Sequence, residues 1–285
     1  MSTPSRRPHL SDARSRLTQD IRAINERGEE QDASIPAERA LTVYVDKREL
    51  VTLMTLGAHP EWLVLGYLRN QHLVASLDDI ESITVDWEVG AAAVKTRSGI
   101  DQIEERTAKR VVTTGCGQGS VFGDLMANVD QIRLGDARLP QSTLYAVLNA
   151  IRLQESTYKS AGSVHACALF HGDEMLLFVE DVGRHNAIDT IAGWMWLQAP
   201  SVQQGGDKLF YTTGRLTSEM VIKSAQMGVP LVVSRSGITQ MGLEVAQRLG
   251  LCAIGRAINK RFLCYSAPER LVRDAVPVPD VLLKE

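Results

Sequence analysis

The alternation of short apolar strands with helices, which begins after Pro140, is the feature that most limits the fold. The runs SVHACALF, EMLLFVE, KLFYTT, PLVVS and LCAIG have the length and composition of buried strands. Helices are predicted over QSTLYAVLNAIRLQESTYKSAG and over residues 186–196, 217–227 and 239–249. Because strands that alternate with helices usually pack as a parallel sheet, residues 138–285 are predicted to form an α/β layer sandwich.

Residues 40–137 have a different pattern, which is typical of a smaller α+β domain. LTVYVD and ELVTLMT are predicted strands joined by the turn Asp46-Lys47-Arg48, and Pro60 is well placed to open a helix. ITVDWEV and AAAVKT form a second predicted hairpin, and IEERTAKRVVTT is a charged strand that leads into a glycine-rich loop. Residues 1–39 are expected to be a flexible or partly helical tail.

Charge and hydropathy exclude several classes of protein. The formal net charge is −3, which provides no general attraction to nucleic acid or to anionic lipid. No apolar run approaches the length of a bilayer span. Acidic residues accompany the arginines of the first 40 residues, whereas a transit peptide would be poor in acids. We therefore expect a cytoplasmic protein with neither a nucleic acid nor a membrane as its partner.

One cysteine has an unusual setting, in the loop TTGCGQGS. Cys116 lies between Gly115 and Gly117, which leave the thiol uncrowded and the backbone free to adopt positive φ. The remaining cysteines, which all lie in apolar runs and are predicted core residues, are Cys167, Cys252 and Cys264. No C-x-x-C pair is present, so neither a disulfide framework nor a zinc knuckle is indicated. Cys116 is therefore the candidate reactive thiol.

Polar loops follow three of the predicted strands: DVGRHN, GRLTSE and RSGIT. Ligands of α/β sheets bind off the carboxyl ends of strands, and helix N-termini together with arginines such as Arg235 suit phosphate. Any one serine or threonine here is better explained as a helix cap. Three glycine-and-arginine loops together predict a large anionic ligand. The predicted binding residues of these loops are Asp181, Arg184, His185, Asn186, Gly214, Arg215, Ser218, Ser234 and Ser236.

The histidines raise two enzyme classes. His165-Ala166-Cys167 resembles the His-x-Glu opening of zinc deaminases, but both the glutamate and the Pro-Cys-x-x-Cys element are missing. No metal is therefore expected. A cysteine–histidine nucleophilic enzyme, with Cys116 as nucleophile and His165 or His185 as base, stays open at this point.

Several long motifs resemble one known family. GCGQG, SVHACAL, EDVGRHNAIDTIAG, TTGRLTSEMVIKSAQMGVPLVVSRSGIT and GRAINKRFLCYSAPERL together look like the formate dehydrogenase accessory sulfurtransferase family. The resemblance runs from about Leu41 to Arg270 and leaves out the N-terminal tail. It implies that residues 138–285 form a three-layer α/β/α sandwich similar to cytidine deaminases, without their zinc chemistry.

The resemblance also implies a function. Members of the family accept sulfur from a cysteine desulfurase and pass it, as a cysteine persulfide, to the molybdenum bis(molybdopterin guanine dinucleotide) cofactor, which then enters formate dehydrogenase. Cys116 would be the carrier, and GDP a ligand analogue. The resemblance further implies a homodimer, and it adds Gly115, Gly117 and His165 to the cofactor-binding residues. The basic segment that resembles the family's C-terminal cofactor loop consists of Arg256, Ala257, Ile258, Asn259, Lys260 and Arg261.

The chain departs from the family at one position. The family pattern is often Cys-Gly-x-Cys-Gly, and Gly119 stands where the second cysteine would be. Sulfur transfer between two cysteines of this loop is therefore excluded, although a single persulfide on Cys116 is chemically sufficient. The main alternative function is a chaperone that binds the cofactor or a guanine nucleotide without transferring sulfur. A thiol hydrolase or thiol redox enzyme is a further alternative, but the loop has no resolving cysteine.

Overall fold

A computed structural model describes residues 7–100, 111–112, 119–120 and 129–275. The chain divides into two compact units. Unit 1 comprises Met1–Met126, Glu155–Ala166 and Val179–Gln203, and unit 2 comprises Ala127–Gln154, Cys167–Phe178 and Gln204–Glu285. The units are thus interleaved along the chain, whereas the domain limits predicted from the sequence are contiguous.

The first five elements of the described residues are strands, and single strands alternate with helices over residues 208–258. The strands are β1 (His9–Leu10), β2 (Thr18–Ile24), β3 (Glu30–Pro36), β4 (Arg39–Val45), β5 (Arg48–Thr55), β6 (Ile80–Asp86), β7 (Ala91–Thr96), β8 (Val111–Val112), β9 (Gly119–Ser120), β10 (Leu139–Pro140), β11 (His165–His171), β12 (Glu174–Asp181), β13 (Lys208–Thr212), β14 (Leu231–Ser234), β15 (Cys252–Ile258), β16 (Arg261–Cys264) and β17 (Leu271–Val272). The α-helices are α1 (Pro60–Asn70), α2 (Gln141–Leu153), α3 (Thr157–Ala161), α4 (Arg184–Leu197), α5 (Pro200–Gln203), α6 (Ser218–Gln226) and α7 (Gln240–Leu249). Short 3-10 turns lie at Leu77–Asp79, Val129–Gln131, Gly205–Asp207 and Pro268–Arg270. Of the helices in the described ranges, none is long and apolar enough to cross a membrane.

Unit 1 is built on a five-stranded sheet with the order β1-β6-β7-β4-β5. The hairpins β4–β5 and β6–β7, which were predicted from the sequence, are both antiparallel. Alternate residues of β4, Leu41, Val43 and Val45, are buried in the core of this unit, as a strand with one covered face requires. Helix α1 begins at Pro60, as predicted, and contributes Leu63 and other apolar residues to the same core.

The N-terminal segment is not the flexible or partly helical tail that was predicted. Strands β2 and β3 pair as an antiparallel hairpin from Thr18 opposite Pro36 to Ile24 opposite Glu30. The turn is fixed by Asn25, whose Oδ1 atom accepts hydrogen bonds from the backbone N–H groups of Arg27 (2.9 Å) and Glu29 (3.0 Å). Since the strands are mostly polar, their sequence lacks the apolar alternation by which a strand is recognised.

Unit 2 is built on a six-stranded sheet with the order β12-β11-β13-β14-β15-β16. Strands β13, β14 and β15 are parallel, whereas β11 and β16 run antiparallel to their neighbours β13 and β15. One face of the sheet packs against Leu144, Val147 and Leu148 of helix α2. The chain is therefore a mixed α/β protein, as predicted, and within this sheet the three parallel strands lie in the middle.

The prediction of one long helix after Pro140 is wrong, because the helix is interrupted between α2, which ends at Leu153, and α3, which begins at Thr157. Ser156 caps α3, and its Oγ atom accepts from the N–H of Lys159 at 3.3 Å. The carboxylate of Glu180 accepts the N–H groups of Thr157 (2.5 Å) and Tyr158 (3.1 Å). These acceptors satisfy the first N–H groups of a new helix, so they compensate for the interruption of the old one.

Candidate functional site

The candidate sulfur-carrying segment, Gly115-Cys116-Gly117, lies outside the described residues. The nearest described residues are the two short strands β8 and β9, which pair antiparallel with Val111 opposite Ser120 and Val112 opposite Gly119. The described backbone thus brings the residues on either side of segment 113–118 into direct pairing.

In unit 1, Asp181 ends β12 and organises the turn before helix α4. Its carboxylate accepts hydrogen bonds from Thr55 Oγ1 (2.5 Å), Leu56 N (3.2 Å), Gly183 N (3.0 Å) and Asn186 Nδ2 (2.8 Å). Burial raises the pKa of Asp181, and these hydrogen bonds oppose that shift. The carboxylate therefore joins the end of β5 to the start of α4.

The other residues predicted around this turn are also in the interior of unit 1. Arg184 and His185 are the first two residues of α4, with 4 % and 2 % of their surface exposed. Asn186 is fully buried, and its Nδ2 atom also donates to the carbonyl oxygen of Met54 at 2.6 Å. His165 begins β11 and is half-buried. Their assignment to cofactor binding stays a prediction, and the observed contacts of Asp181 and Asn186 hold the fold of this unit together.

Replacing Asp181 with alanine is expected to destabilise the protein. The change removes the acceptor of three buried donors, Thr55 Oγ1, Leu56 N and Gly183 N, and one of the two acceptors of Asn186 Nδ2. Each unsatisfied buried group costs about 1–3 kcal/mol. We expect the free energy of unfolding to fall by about 3 kcal/mol or more, as measured by urea denaturation. The control is Asp173→Ala, in the exposed turn between β11 and β12. Equal stability of the two variants would show that the Asp181 network contributes little.

In unit 2, the loops after β13 and β14 are hydrogen-bonded to each other, and the loop after β14 is hydrogen-bonded to the C-terminal half of β15. Ser234 Oγ donates to the carbonyl oxygen of Gly214 at 2.7 Å and accepts from Ser236 N at 2.9 Å. Leu216 N donates to Gly237 O at 2.9 Å, and Arg256 N donates to Ser236 O at 2.6 Å. The loops therefore form one connected surface at the carboxyl ends of three parallel strands, where ligands of α/β sheets bind.

This surface, which we call the β13–β15 end, has a positive character. The cationic side chains that it exposes are Arg215, Arg235, Arg256, Lys260 and Arg261. Helix α6 begins at Ser218 and helix α7 at Gln240, directly after two of the loops. Helix N-termini and guanidinium groups both favour anions, so the end is chemically suited to phosphate groups.

The basic segment of residues 256–261 has a strained backbone. Arg256 has a φ of 50° and Asn259 a φ of 54°, both in the left-handed region that side chains rarely adopt. The pairing of β15 with β16 shifts register between Gly255 and Ile258, which marks a bulge. Bulges of this kind re-aim side chains, and Arg256, which lies within the bulge, is exposed together with Lys260 and Arg261.

Two contributors to this end were not predicted from the sequence. Thr212 Oγ1 accepts from Gly214 N at 3.0 Å and from Cys167 Sγ at 3.3 Å, so it fixes the loop after β13. The available signal was a hydroxyl residue at the end of a strand, two residues before a glycine. Tyr145 of helix α2 lies under Lys260, with Nζ 5.9 Å from the ring centroid. Nothing local in the sequence indicates that second contact, which joins residues 115 positions apart.

Among the residues that the structure describes, no group of three or more histidine, cysteine, aspartate or glutamate side chains could hold a metal ion.

Comparisons with known proteins place these features in a family context. The sequence model of a protein family described as the FdhD/NarQ family matches residues 36–272 of this chain. The sulfur carrier protein FdhD of Bacillus subtilis (strain 168) is 32% identical over 240 residues, which cover 82% of this chain and 88% of that protein. The sulfur carrier protein FdhD of Geobacillus kaustophilus (strain HTA426) is 29% identical over 250 residues, which cover 87% and 94%.

A solved structure has a similar fold. A crystal structure described as that of a putative formate dehydrogenase accessory protein from Desulfotalea psychrophila superposes with a TM-score of 0.70. The match covers 90% of this chain and 99% of that chain at 24% sequence identity. At this identity the likeness supports the fold of the chain.

Proposed function

We propose a function for this chain from one established premise: it belongs to the FdhD/NarQ family. The proposal is that the chain is a sulfurtransferase that carries sulfur as a persulfide on Cys116. The donor is a cysteine desulfurase, and the acceptor is the molybdenum bis(molybdopterin guanine dinucleotide) cofactor of a formate dehydrogenase. The cofactor is the substrate of the reaction, so the protein needs a site for it in addition to a nucleophilic thiol.

The family match is the observation on which this proposal depends most. It spans the Cys116 loop and all three loops of the β13–β15 end in a single alignment. The curated relatives from Bacillus subtilis and Geobacillus kaustophilus are both named sulfur carrier proteins. A family of sulfur carriers requires a thiol, and Cys116 is the one cysteine of the chain that is not in an apolar run.

The transfer chemistry needs only one cysteine on this protein. The Cys116 thiolate attacks the outer sulfur of the donor persulfide, a new S–S bond forms, and the donor cysteine leaves as a thiolate. Delivery to the cofactor, which is the substrate, breaks the S–S bond of the Cys116 persulfide and releases Cys116 as a thiolate. The two electrons that convert the transferred sulfur atom to sulfide would come from the reduced molybdenum of the cofactor or from an external thiol. Gly119, which replaces the second cysteine of the family pattern, is therefore compatible with transfer.

The β13–β15 end supports the second requirement, which is a site for the guanine dinucleotide. That ligand has two pyrophosphate groups, and Arg215, Arg235 and the basic segment 256–261 supply exposed cations beside two helix N-termini. Tyr145 and Phe262 lie close together with ring centroids 6.4 Å apart, next to Lys260. Aromatic rings are suitable surfaces for stacking a nucleobase. We propose that GDP binds here as an analogue of half of the cofactor.

Replacing Arg215 with alanine is expected to weaken GDP binding and to leave persulfide formation on Cys116 unchanged. A charge-assisted hydrogen bond contributes about 1.5–3 kcal/mol, so the Kd for GDP should rise roughly 10–100-fold. Isothermal titration calorimetry measures this change. The matched control is Arg248→Ala, because Arg248 lies in the last turn of α7 and pairs with Asp130. Unchanged GDP affinity in Arg215→Ala would place the nucleotide site elsewhere.

Further parts of the proposal follow from the family resemblance. The protein acts in the cytoplasm as a homodimer. The sheet of unit 2 and the helices that cover it form the three-layer sandwich that resembles cytidine deaminases. The strand order β12-β11-β13-β14-β15, with β13 to β15 parallel, supports this architecture. The alternative function is a chaperone that binds the cofactor without transferring sulfur, since the β13–β15 end could serve either function.

Mass spectrometry separates these two functions. The purified chain is incubated with a cysteine desulfurase and cysteine, its thiols are alkylated, and the position of any added sulfur is mapped. The proposal requires one additional sulfur atom on Cys116 in the parent and none in Cys116→Ser. A parent that gains no sulfur on Cys116 yet binds GDP would be a chaperone.

A further inference from the structure

Two cysteines that the proposed function does not use lie side by side in unit 2. Cys252 begins β15 and Cys264 ends β16, and these strands are antiparallel neighbours with Ile254 opposite Cys264. The Sγ atoms are 4.0 Å apart. A disulfide needs about 2.05 Å between the sulfurs, so small side-chain and strand adjustments would bring them into bonding distance.

The two thiols differ in accessibility. Cys252 is fully buried in the core beneath α2, whereas Cys264 is half-buried near the end of the edge strand β16. Cys264 Sγ also lies 3.4 Å from the carbonyl oxygen of Ser266. An oxidant from solvent therefore reaches Cys264 first, and Cys252 is held where it meets the oxidised sulfur of Cys264.

The electrostatic surroundings favour the same order. The pKa of Cys264 is lowered to about 7, mainly by the hydrogen bond with Cys252. The backbone of Ser266 and the charge of Arg273 also lower it, whereas burial and the charge of Glu269 raise it. The pKa of Cys252 is raised by the hydrogen bond with Cys264, by burial and by the charge of Glu269. The charge of Arg270 opposes that shift. Cys264 is therefore the thiol of the pair that loses its proton first as the pH rises.

We propose that Cys264 and Cys252 form a two-thiol oxidation site that peroxides convert to an intramolecular disulfide. The Cys264 thiolate attacks one oxygen of hydrogen peroxide, the O–O bond breaks, and the sulfur is oxidised by two electrons to a sulfenic acid. The other oxygen leaves as hydroxide and takes a proton from solvent to become water. The Cys252 sulfur then attacks Cys264, an S–S bond forms, and the sulfenic hydroxyl leaves as water with the Cys252 proton. Both peroxide oxygens end as water, and reduction by a thiol restores the pair.

The position of the pair gives the modification a structural consequence. Cys252 precedes the basic segment 256–261 in the chain and Cys264 follows it, so the disulfide would tie together the two strands that carry that segment. The chemistry itself is independent of the sulfur-carrier function, because it does not involve Cys116. The two hypotheses can therefore fail separately.

Disulfide mapping on the full-length Cys116→Ala chain tests the proposal, since this background removes the sulfur-carrier chemistry. The reduced protein is treated with increasing hydrogen peroxide, blocked with N-ethylmaleimide, digested without reduction and analysed by mass spectrometry. We expect the Cys252–Cys264 linked peptide as the main product. We also expect alkylation of Cys264 to reach half its maximal rate near pH 7, the pKa of about 7 given above. Oxidation of Cys264 to a sulfinic acid without the linked peptide would overturn the proposal, as would peroxide resistance of both thiols.

Single substitutions identify the role of each thiol. Cys252→Ser should leave Cys264 as a sulfenic acid that dimedone labels, and Cys264→Ser should make Cys252 unreactive. Cys167→Ser is the matched control, because Cys167 is as buried as Cys252 but its thiol donates a hydrogen bond to Thr212. In this variant the Cys252–Cys264 linked peptide should form as in the parent. If a serine variant does not fold, the mapping on the Cys116→Ala chain decides. A linked peptide that joins Cys264 to Cys167 would contradict the assignment of Cys252.

Discussion

Replacing Cys116 with alanine is expected to abolish formate dehydrogenase activity in a cell that depends on this protein, while the chain still folds. The thiol is the only group in the proposed mechanism that bonds to the transferred sulfur, so no neighbouring residue can replace it. The loop has no second cysteine either, because Gly119 stands at that position. Activity should therefore fall to the level of a strain that lacks the protein, as measured by formate oxidation in cell extracts.

The control variants are the other three cysteines, each replaced by alanine. Cys167 and Cys252 are fully buried, and their loss should affect stability at most, as should that of Cys264. Unfolding of Cys116→Ala, followed by circular dichroism, should match that of the parent. Full formate dehydrogenase activity in Cys116→Ala would refute sulfur transfer and favour the chaperone alternative, whereas loss of GDP binding in that variant would place the thiol inside the nucleotide site.

Elements whose periodicity is local could be predicted from the sequence. KLFYTT was predicted as a strand and is β13, and the helix predicted over 217–227 is α6 at Ser218–Gln226. The helix predicted over 239–249 begins one residue later, because Thr239 caps it by accepting from Gly242 N at 3.2 Å. In such elements, the apolar spacing, the cap and the preceding turn all lie within a few residues of one another, so the sequence specifies them directly.

Contacts between distant residues could not be predicted. Asp181 was predicted to bind a ligand, and its acceptor role toward Thr55 joins residues that are 126 positions apart. The loops GRLTSE and RSGIT of the β13–β15 end were predicted to act together with DVGRHN, which belongs to unit 1. The hydrogen bonds between GRLTSE and RSGIT depend on the strand order of the sheet. A pattern in the sequence indicates which side chains a loop offers, and only the tertiary fold determines which of them meet.

The close crossing of helices α1 and α4 in unit 1 is a further contact of this kind. A Cβ atom added at Gly66 would lie 2.6 Å from the carbonyl carbon of Asp189 and 2.8 Å from Gly193 N. A Cβ added at Gly193 would lie 2.8 Å from Gly66 N and 2.9 Å from the carbonyl carbon of Trp62. Both obstacles are helix backbone, which cannot rotate away as a side chain can. Hydrogen bonds from Arg69 Nη1 to Ala192 O (3.0 Å) and from Asn70 Nδ2 to Asp189 Oδ1 (2.7 Å) hold the same pair of helices together.

Gly66→Ala and Gly193→Ala are therefore each expected to destabilise the protein strongly. Glycine to alanine inside a helix normally stabilises by about 1 kcal/mol through propensity, so a loss of stability identifies the crossing as its cause. Overpacking costs about 1–3 kcal/mol when side chains can adjust, and we expect a cost at or above that range because backbone must move. Urea denaturation measures the change, with Gly206→Ala as control, since its Cβ would come no closer than 3.8 Å to its nearest neighbour.

The double variant Gly66→Ala/Gly193→Ala gives the sharper test. Once the first methyl group has separated the two helices, the second occupies space that has already opened. The loss of stability in the double variant should therefore be smaller than the sum of the losses in the two single variants. A full sum would mean that the two glycines act at separate places, although a Cβ atom added at either one would lie 2.8 Å from the N atom of the other. A Gly66→Ala variant at least as stable as the parent would show that α1 and α4 separate without cost and that hydrogen bonds such as Arg69 to Ala192 do not depend on their close approach.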